Sequence, residues 1–130
     1  MLTGTCLCKS GSISIDGDLE HQPEACHCQM CRKQTGGFLI AVNVRKSQLQ
    51  TEGKEHISWY RSSETVERGF CSVCGSTLFW KPEIDGYEWV GVAVGVIDQP
   101  IDSTIAKHTF VSAKGTYYEI ADGIPQHEQH

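Results

Sequence analysis

The sequence predicts a mainly β domain with one or two short helical turns. Three observations lead there: short apolar segments alternate with polar residues, glycine-bearing turns separate them, and all seven cysteines fall in clusters. The chain has 130 residues, of which 39% are hydrophobic and 21% charged. That composition is globular, and the length suits one domain able to bury its own core.

The elements are expected in this order. Residues 12–16 place Ile13 and Ile15 on one face and end at Gly17, a turn former. Residues 29–34 carry the clearest helical turn. Residues 38–44, Phe-Leu-Ile-Ala-Val-Asn-Val, suit a buried strand. Short strands are expected at 57–61, 64–68 and 77–81. Asp85-Gly86 is a hairpin turn leading to a strand over 87–97. A second helical turn is expected near 102–106, and the last strands at 105–111 and 117–120. The polar stretch 124–130 reads as a loose tail, with Pro125 able to pack, behind a zinc-binding β domain over 1–123. The longest apolar run, residues 89–97, includes two glycines and is too short to cross a bilayer as a helix, which takes about 20 residues. Residues 1–6 have neither a basic nor an apolar leader region, so a cytoplasmic protein is expected.

Charge narrows the partners. With 11 basic and 16 acidic residues the formal net charge is -5, which argues against a phosphate backbone as the main partner. Nothing indicates a membrane or an oligomer. Seven is an odd number, so the cysteines cannot all pair within the chain. In a reducing compartment clustered cysteines more often bind metal or react. Cys6-Leu-Cys8 presents two sulfurs to one face of an extended segment, and Cys71-Ser-Val-Cys74-Gly75 is a knuckle in which Gly75 is free to take a positive φ. Together they offer four thiolates, the closed set of a structural zinc. Cys26, Cys28 and Cys31 form a compact tripod. Three protein ligands leave one tetrahedral position for water or substrate, as in catalytic zinc sites. Two Zn²⁺ per chain are therefore expected. Other partitions, such as the tripod plus one distant cysteine, strand two or three thiols.

The neighbours of these clusters are also candidates. Lys9, Arg32 and Lys33 flank the cysteines, either to balance thiolate charge or, for Arg32 and Lys33, to meet an anionic substrate. His27 lies between two tripod cysteines, but adjacent residues point apart, which disfavours it as a ligand. His108 suits a structural or site-lining role, and His127 and His130 belong to the tail. Trp59, Tyr60, Trp80 and Trp89 are expected as core or sheet-face aromatics.

Four segments carry a family resemblance: Gly4-Thr-Cys-Leu-Cys-Lys-Ser-Gly-Ser-Ile13, Cys26-His-Cys-Gln-Met-Cys-Arg-Lys-Gln-Thr-Gly36, Phe70-Cys-Ser-Val-Cys-Gly-Ser-Thr-Leu-Phe79 and His108-Thr-Phe-Val111. In this order they resemble the glutathione-dependent formaldehyde-activating enzymes, a family that includes centromere protein V relatives. The resemblance implies a β-tent of stacked antiparallel sheets, a structural zinc at Cys6, Cys8, Cys71 and Cys74, and a catalytic zinc at Cys26, Cys28 and Cys31. It also implies a carbon–sulfur lyase that condenses glutathione with formaldehyde to S-hydroxymethylglutathione, with Arg32 and Lys33 as candidates for the glutathione carboxylates. The alternatives are the same chemistry on another thiol or electrophile, and a non-catalytic zinc-stabilised binding module. Two positions depart from the family. Lys9 stands where a Gly usually follows the C-x-C, a change that a negative φ at this residue would accommodate. Tyr117 stands where the family usually has Trp.

Overall fold

A computed structural model describes residues 1–130 and shows a mainly β architecture of two sheets and one short helix. The elements are β1 (Leu2–Thr5), β2 (Ser12–Ile15), β3 (Glu24–Cys26), α1 (Gln29–Thr35), β4 (Leu39–Arg45), β5 (Leu49–Glu52), β6 (Ile57–Arg61), β7 (Val66–Cys71), β8 (Thr77–Pro82), β9 (Trp89–Ala93) and β10 (Lys107–Thr109). Single 3₁₀ turns lie at Lys46–Gln48, Lys54–His56, Val94–Val96 and Val111–Ala113. No helix is long and apolar enough to cross a membrane.

β1, β2 and β5 form a small antiparallel sheet, and the other seven strands form a second sheet in the order β10-β3-β4-β9-β8-β7-β6. The pairing is antiparallel throughout except for β10 on β3, which is parallel. Strand alternation explains how the large sheet is used on both faces. Val42 and Val44 on β4 and Val90 and Val92 on β9 turn inward to meet Ile13 and Ile15 of the small sheet. Their neighbours of opposite parity, Ala41, Asn43 and Gly91, line a cavity on the far face. The small sheet also meets the segment that follows β9 at Gly4, which bridges to Ile97; a Cβ there would collide with the Val96 carbonyl.

Four expectations need correction. Residues 102–106 form no helical turn, because the segment runs toward β3 and donates from Ala106 N to the Pro23 carbonyl. Residues 117–120 form no strand; Tyr118 instead sends its hydroxyl to a buried histidine and its carbonyl to the Lys114 ammonium. The C-terminal stretch is polar but not loose. Its backbone runs parallel to β10, with bonds from His108 N to the Pro125 carbonyl and from His127 N to the His108 carbonyl. This gives β10, otherwise an edge strand, partners for its exposed N–H and C=O groups. The strand expected over 87–97 stops at Ala93, where the 3₁₀ turn begins. The Asp85-Gly86 turn forms as expected, with Gly86 at φ 80° between β8 and β9.

Candidate metal centres and the adjoining cavity

The four-cysteine cluster is assembled from two distant loops. Cys6 and Cys8 follow β1; Cys71 ends β7 and Cys74 lies in the turn before β8. All four sulfurs lie within 4.8 Å of one another. Cys6–Cys8 and Cys8–Cys71 are each 3.7 Å apart, far beyond a disulfide bond of about 2.05 Å, so the thiols are free. Backbone N–H groups already point at the sulfurs: Gly11 N donates to Cys6 Sγ at 3.4 Å, and Val73 N and Cys74 N approach Cys71 Sγ at 3.4 and 3.5 Å. The Ser76 hydroxyl, 3.1 Å from Cys74 Sγ, brings that thiol down to about 5. The turns that deliver the sulfurs need positive φ. Gly75 takes it at 81°, as expected. Lys9 also takes it, at 67°, which overturns the negative φ expected for a side chain there. The sharp return from Cys8 to Gly11, closed by bonds from Lys9 N to the Cys6 carbonyl and from Cys6 N to the Gly11 carbonyl, imposes this conformation.

The three-cysteine cluster is local. Cys26 ends β3, Cys28 caps α1 and Cys31 lies in its first turn, with Cys31 N donating to Cys28 Sγ at 3.3 Å. The sulfurs again lie within 4.8 Å of one another, and Cys31 is buried. Such close thiols cannot all ionise without a cation. Hydrogen bonds from Cys26 and then Cys31 bring Cys28 down to about 2, while contacts with Cys26 and then Cys28 push Cys31 far above the usual thiol range. An all-sulfur donor set of this spacing fits a tetrahedral thiophilic ion, as does the four-cysteine set.

His27 takes no part in the tripod. It is fully buried and points the other way, with Nδ1 2.6 Å from the Tyr118 hydroxyl and Nε2 2.8 Å from His108 Nδ1. His108 Nε2 is in turn 2.8 Å from Asp122 Oδ2. One tautomer assignment satisfies every atom. His108 Nε2–H donates to the carboxylate, His27 Nε2–H donates to His108 Nδ1, and the Tyr118 O–H donates to His27 Nδ1. Burial, then the neighbouring His108 and the Lys114 ammonium, depress the His27 pKa and favour its neutral state.

The tripod opens into a cavity of about 370 Å³ lined by Cys26, Cys28 and Cys31. Leu39, Ala41 and Trp80 supply apolar wall. Of the three tryptophans, Trp80 is the one that lines the cavity, whereas Trp59 stacks on Phe79 and Trp89 packs against Arg45 and His21. Arg32 does not line the cavity, and Lys33 lies in an adjoining cleft. The cation that does line it is Arg68 of β7, which was not singled out in the sequence. Its Nη1 donates to Cys31 Sγ at 3.4 Å and to Gln34 Oε1 at 2.8 Å, and its Nε to Ser62 Oγ at 3.0 Å. Alternation along β7, with Val66 and Arg68 on one face, is the signal that could have marked it.

The sequence profile of the glutathione-dependent formaldehyde-activating enzyme (GFA) family matches residues 1–113. The chain belongs to this family. A GFA relative in Halomonas elongata, named "Putative glutathione-dependent formaldehyde-activating enzyme", is 31% identical over 86 residues, covering 61% of this chain and 55% of that protein. A Schizosaccharomyces pombe protein named "Uncharacterized lyase C29B12.13" is 33% identical over 78 residues, covering 59% of this chain and 55% of that one. The chain thus spans about half the length of the curated relatives it matches. A crystal structure of a Rhodobacter sphaeroides protein superposes with a TM-score of 0.63 at 26% identity, over 77% of this chain and 91% of that one.

Proposed function

We propose that this GFA member is a zinc-dependent carbon–sulfur lyase-type enzyme that adds glutathione, or a similar thiol, to formaldehyde or another small aldehyde. The observation that carries the proposal is the contrast between the two clusters. One has four sulfurs from distant loops and closes on itself; the other has three and faces a cavity. Cys6, Cys8, Cys71 and Cys74 hold a structural zinc, and Cys26, Cys28 and Cys31 hold the one that takes part in the reaction, two Zn²⁺ per chain. Zinc at an open site acts as a Lewis acid that can lower the pKa of a thiol it binds. The chain supplies the rest. Leu39, Ala41 and Trp80 exclude water and bring the aldehyde close to the sulfur nucleophile, so that addition becomes effectively unimolecular. Arg68 offsets negative charge beside Cys31. The family name supports glutathione and formaldehyde as the reactants, and the acidic net charge supports a small-molecule partner over nucleic acid. A cytoplasmic location belongs to the same reading, because seven free, clustered thiols suit a reducing compartment.

Exchange NMR tests the activity. With zinc-loaded protein, exchange between free glutathione and its formaldehyde adduct should speed up well beyond the spontaneous rate, and Cys28→Ala should abolish the gain. No acceleration by the loaded protein leaves the binding-module alternative in its place.

A further inference from the structure

The tripod loop is gripped by a segment far from its cysteines. His27, which links Cys26 to Cys28, is fully buried and takes part in a series of three hydrogen bonds. Its Nδ1 is 2.6 Å from the Tyr118 hydroxyl, its Nε2 is 2.8 Å from His108 Nδ1, and His108 Nε2 is 2.8 Å from Asp122 Oδ2. Both ends of the series, Tyr118 and Asp122, thus come from one irregular segment. That segment is itself fixed: the Lys114 ammonium donates to the Tyr118 carbonyl at 2.6 Å, and Ile124 N donates to Asp122 Oδ1 at 3.0 Å. Tyr117 reaches the other end of α1, where its hydroxyl is 3.4 Å from the carbonyl of the capping Gly36. Residues 114–122 also lie beyond the stretch matched by the family profile, which ends at 113.

Burying two imidazoles is costly unless their nitrogens are bonded, and here all four are. The bonds leave the His27 ring one orientation, and Phe38 holds its face at 4.5 Å. His27 N donates to the Thr109 carbonyl at 3.0 Å, so backbone and side chain are fixed together. The peptide units between Cys26 and Cys28 then have little freedom to separate the sulfurs, although three ionised thiols this close repel one another.

We propose that Tyr118 and Asp122 are positioning residues for the three-cysteine site, acting through His27 and His108 to keep its sulfurs in ligand positions. Losing the grip lets the loop open, and the ion leaves sooner. The four-cysteine site, built from other loops, is untouched. This assignment rests on the proposed zinc at Cys26, Cys28 and Cys31, and is independent of which thiol or aldehyde reacts there.

Zinc release from the loaded full-length protein to a chromogenic chelator tests it, followed in time and alongside a thermal melt. The phase belonging to the tripod is the one that Cys28→Ala abolishes. Tyr118→Phe keeps the ring and removes only the hydroxyl. It should speed the tripod phase about tenfold, the scale of one buried hydrogen bond, and leave the other phase unchanged. Asp122→Ala, at the exposed end of the series, should speed the same phase about threefold. A merely structural role would instead speed both phases together as the melting temperature falls. That result, or a tripod phase that neither variant changes, overturns the positioning role and leaves the metal site standing. A wild-type protein that releases only one zinc overturns the two-ion reading, and this assignment with it. Should Tyr118→Phe not fold, Asp122→Ala decides alone by the same comparison of phases.

Discussion

Lys9 holds φ at 67° in the turn between two cysteines of the four-sulfur cluster, where a side chain pays for a conformation that glycine adopts freely. Its backbone N–H is bonded to the Cys6 carbonyl, so the turn cannot relax by rotating away. Lys9→Gly should therefore stabilise the protein by about 0.5–1 kcal/mol, less the entropy that glycine gains in the unfolded chain. Thermal melting of zinc-loaded protein checks it, and a lower midpoint would show that the lysine's charge beside the thiolates outweighs the strain. His27 gives a second lesson at this scale. It sits between two clustered cysteines, yet both its nitrogens are committed to Tyr118 and His108. A histidine inside a cysteine motif is thus no ligand when the backbone turns its ring into the opposite layer.

The strands and loops divide the two cysteine sets into different mechanical roles. The four-cysteine cluster ties the β1–β2 turn to the β7–β8 turn, and Cys6 and Cys71 belong to the core between the sheets. The tripod spans only the β3–α1 junction. Cys74→Ala should thus lower the melting temperature sharply or prevent soluble expression, while Cys28→Ala should lose one zinc and the activity with the fold retained. Circular dichroism melts with metal analysis read both; equal destabilisation by the two changes contradicts the division of roles. The same elements show what the sequence made legible. The strand at Ile57–Arg61 and the hairpin turn at Gly86 follow from alternation and turn chemistry. β5, Leu-Gln-Thr-Glu, has a single strongly apolar residue and little to announce it; it exists because β2 offers it a partner. β3 and β10 are three residues each and pair in parallel across 80 or so positions, a tertiary choice that local propensity does not encode. The cysteine clusters were legible because four and three sulfurs need only spacing to be recognised. Arg68 was not, because its meaning depends on Cys31 and Gln34, which lie far away in the chain.

In the whole molecule the seven-stranded sheet serves as a partition. One face packs on the small sheet and carries the core; the other carries the tripod and its cavity. In the proposed reading the four-cysteine cluster, once it holds zinc, clamps the two sheets at one end, and the three-cysteine cluster stands where a small molecule can reach its ion. Both roles depend on one claim, that each cysteine cluster holds its own ion. Zinc content per chain tests it most directly, measured on protein purified without chelator and again after zinc addition and removal of the excess. Two zinc ions per chain are expected after addition, four thiolates holding one and three the other. A value that stays near one would contradict the assignment, because either the sheets would lack their clamp or the cavity would lack its metal.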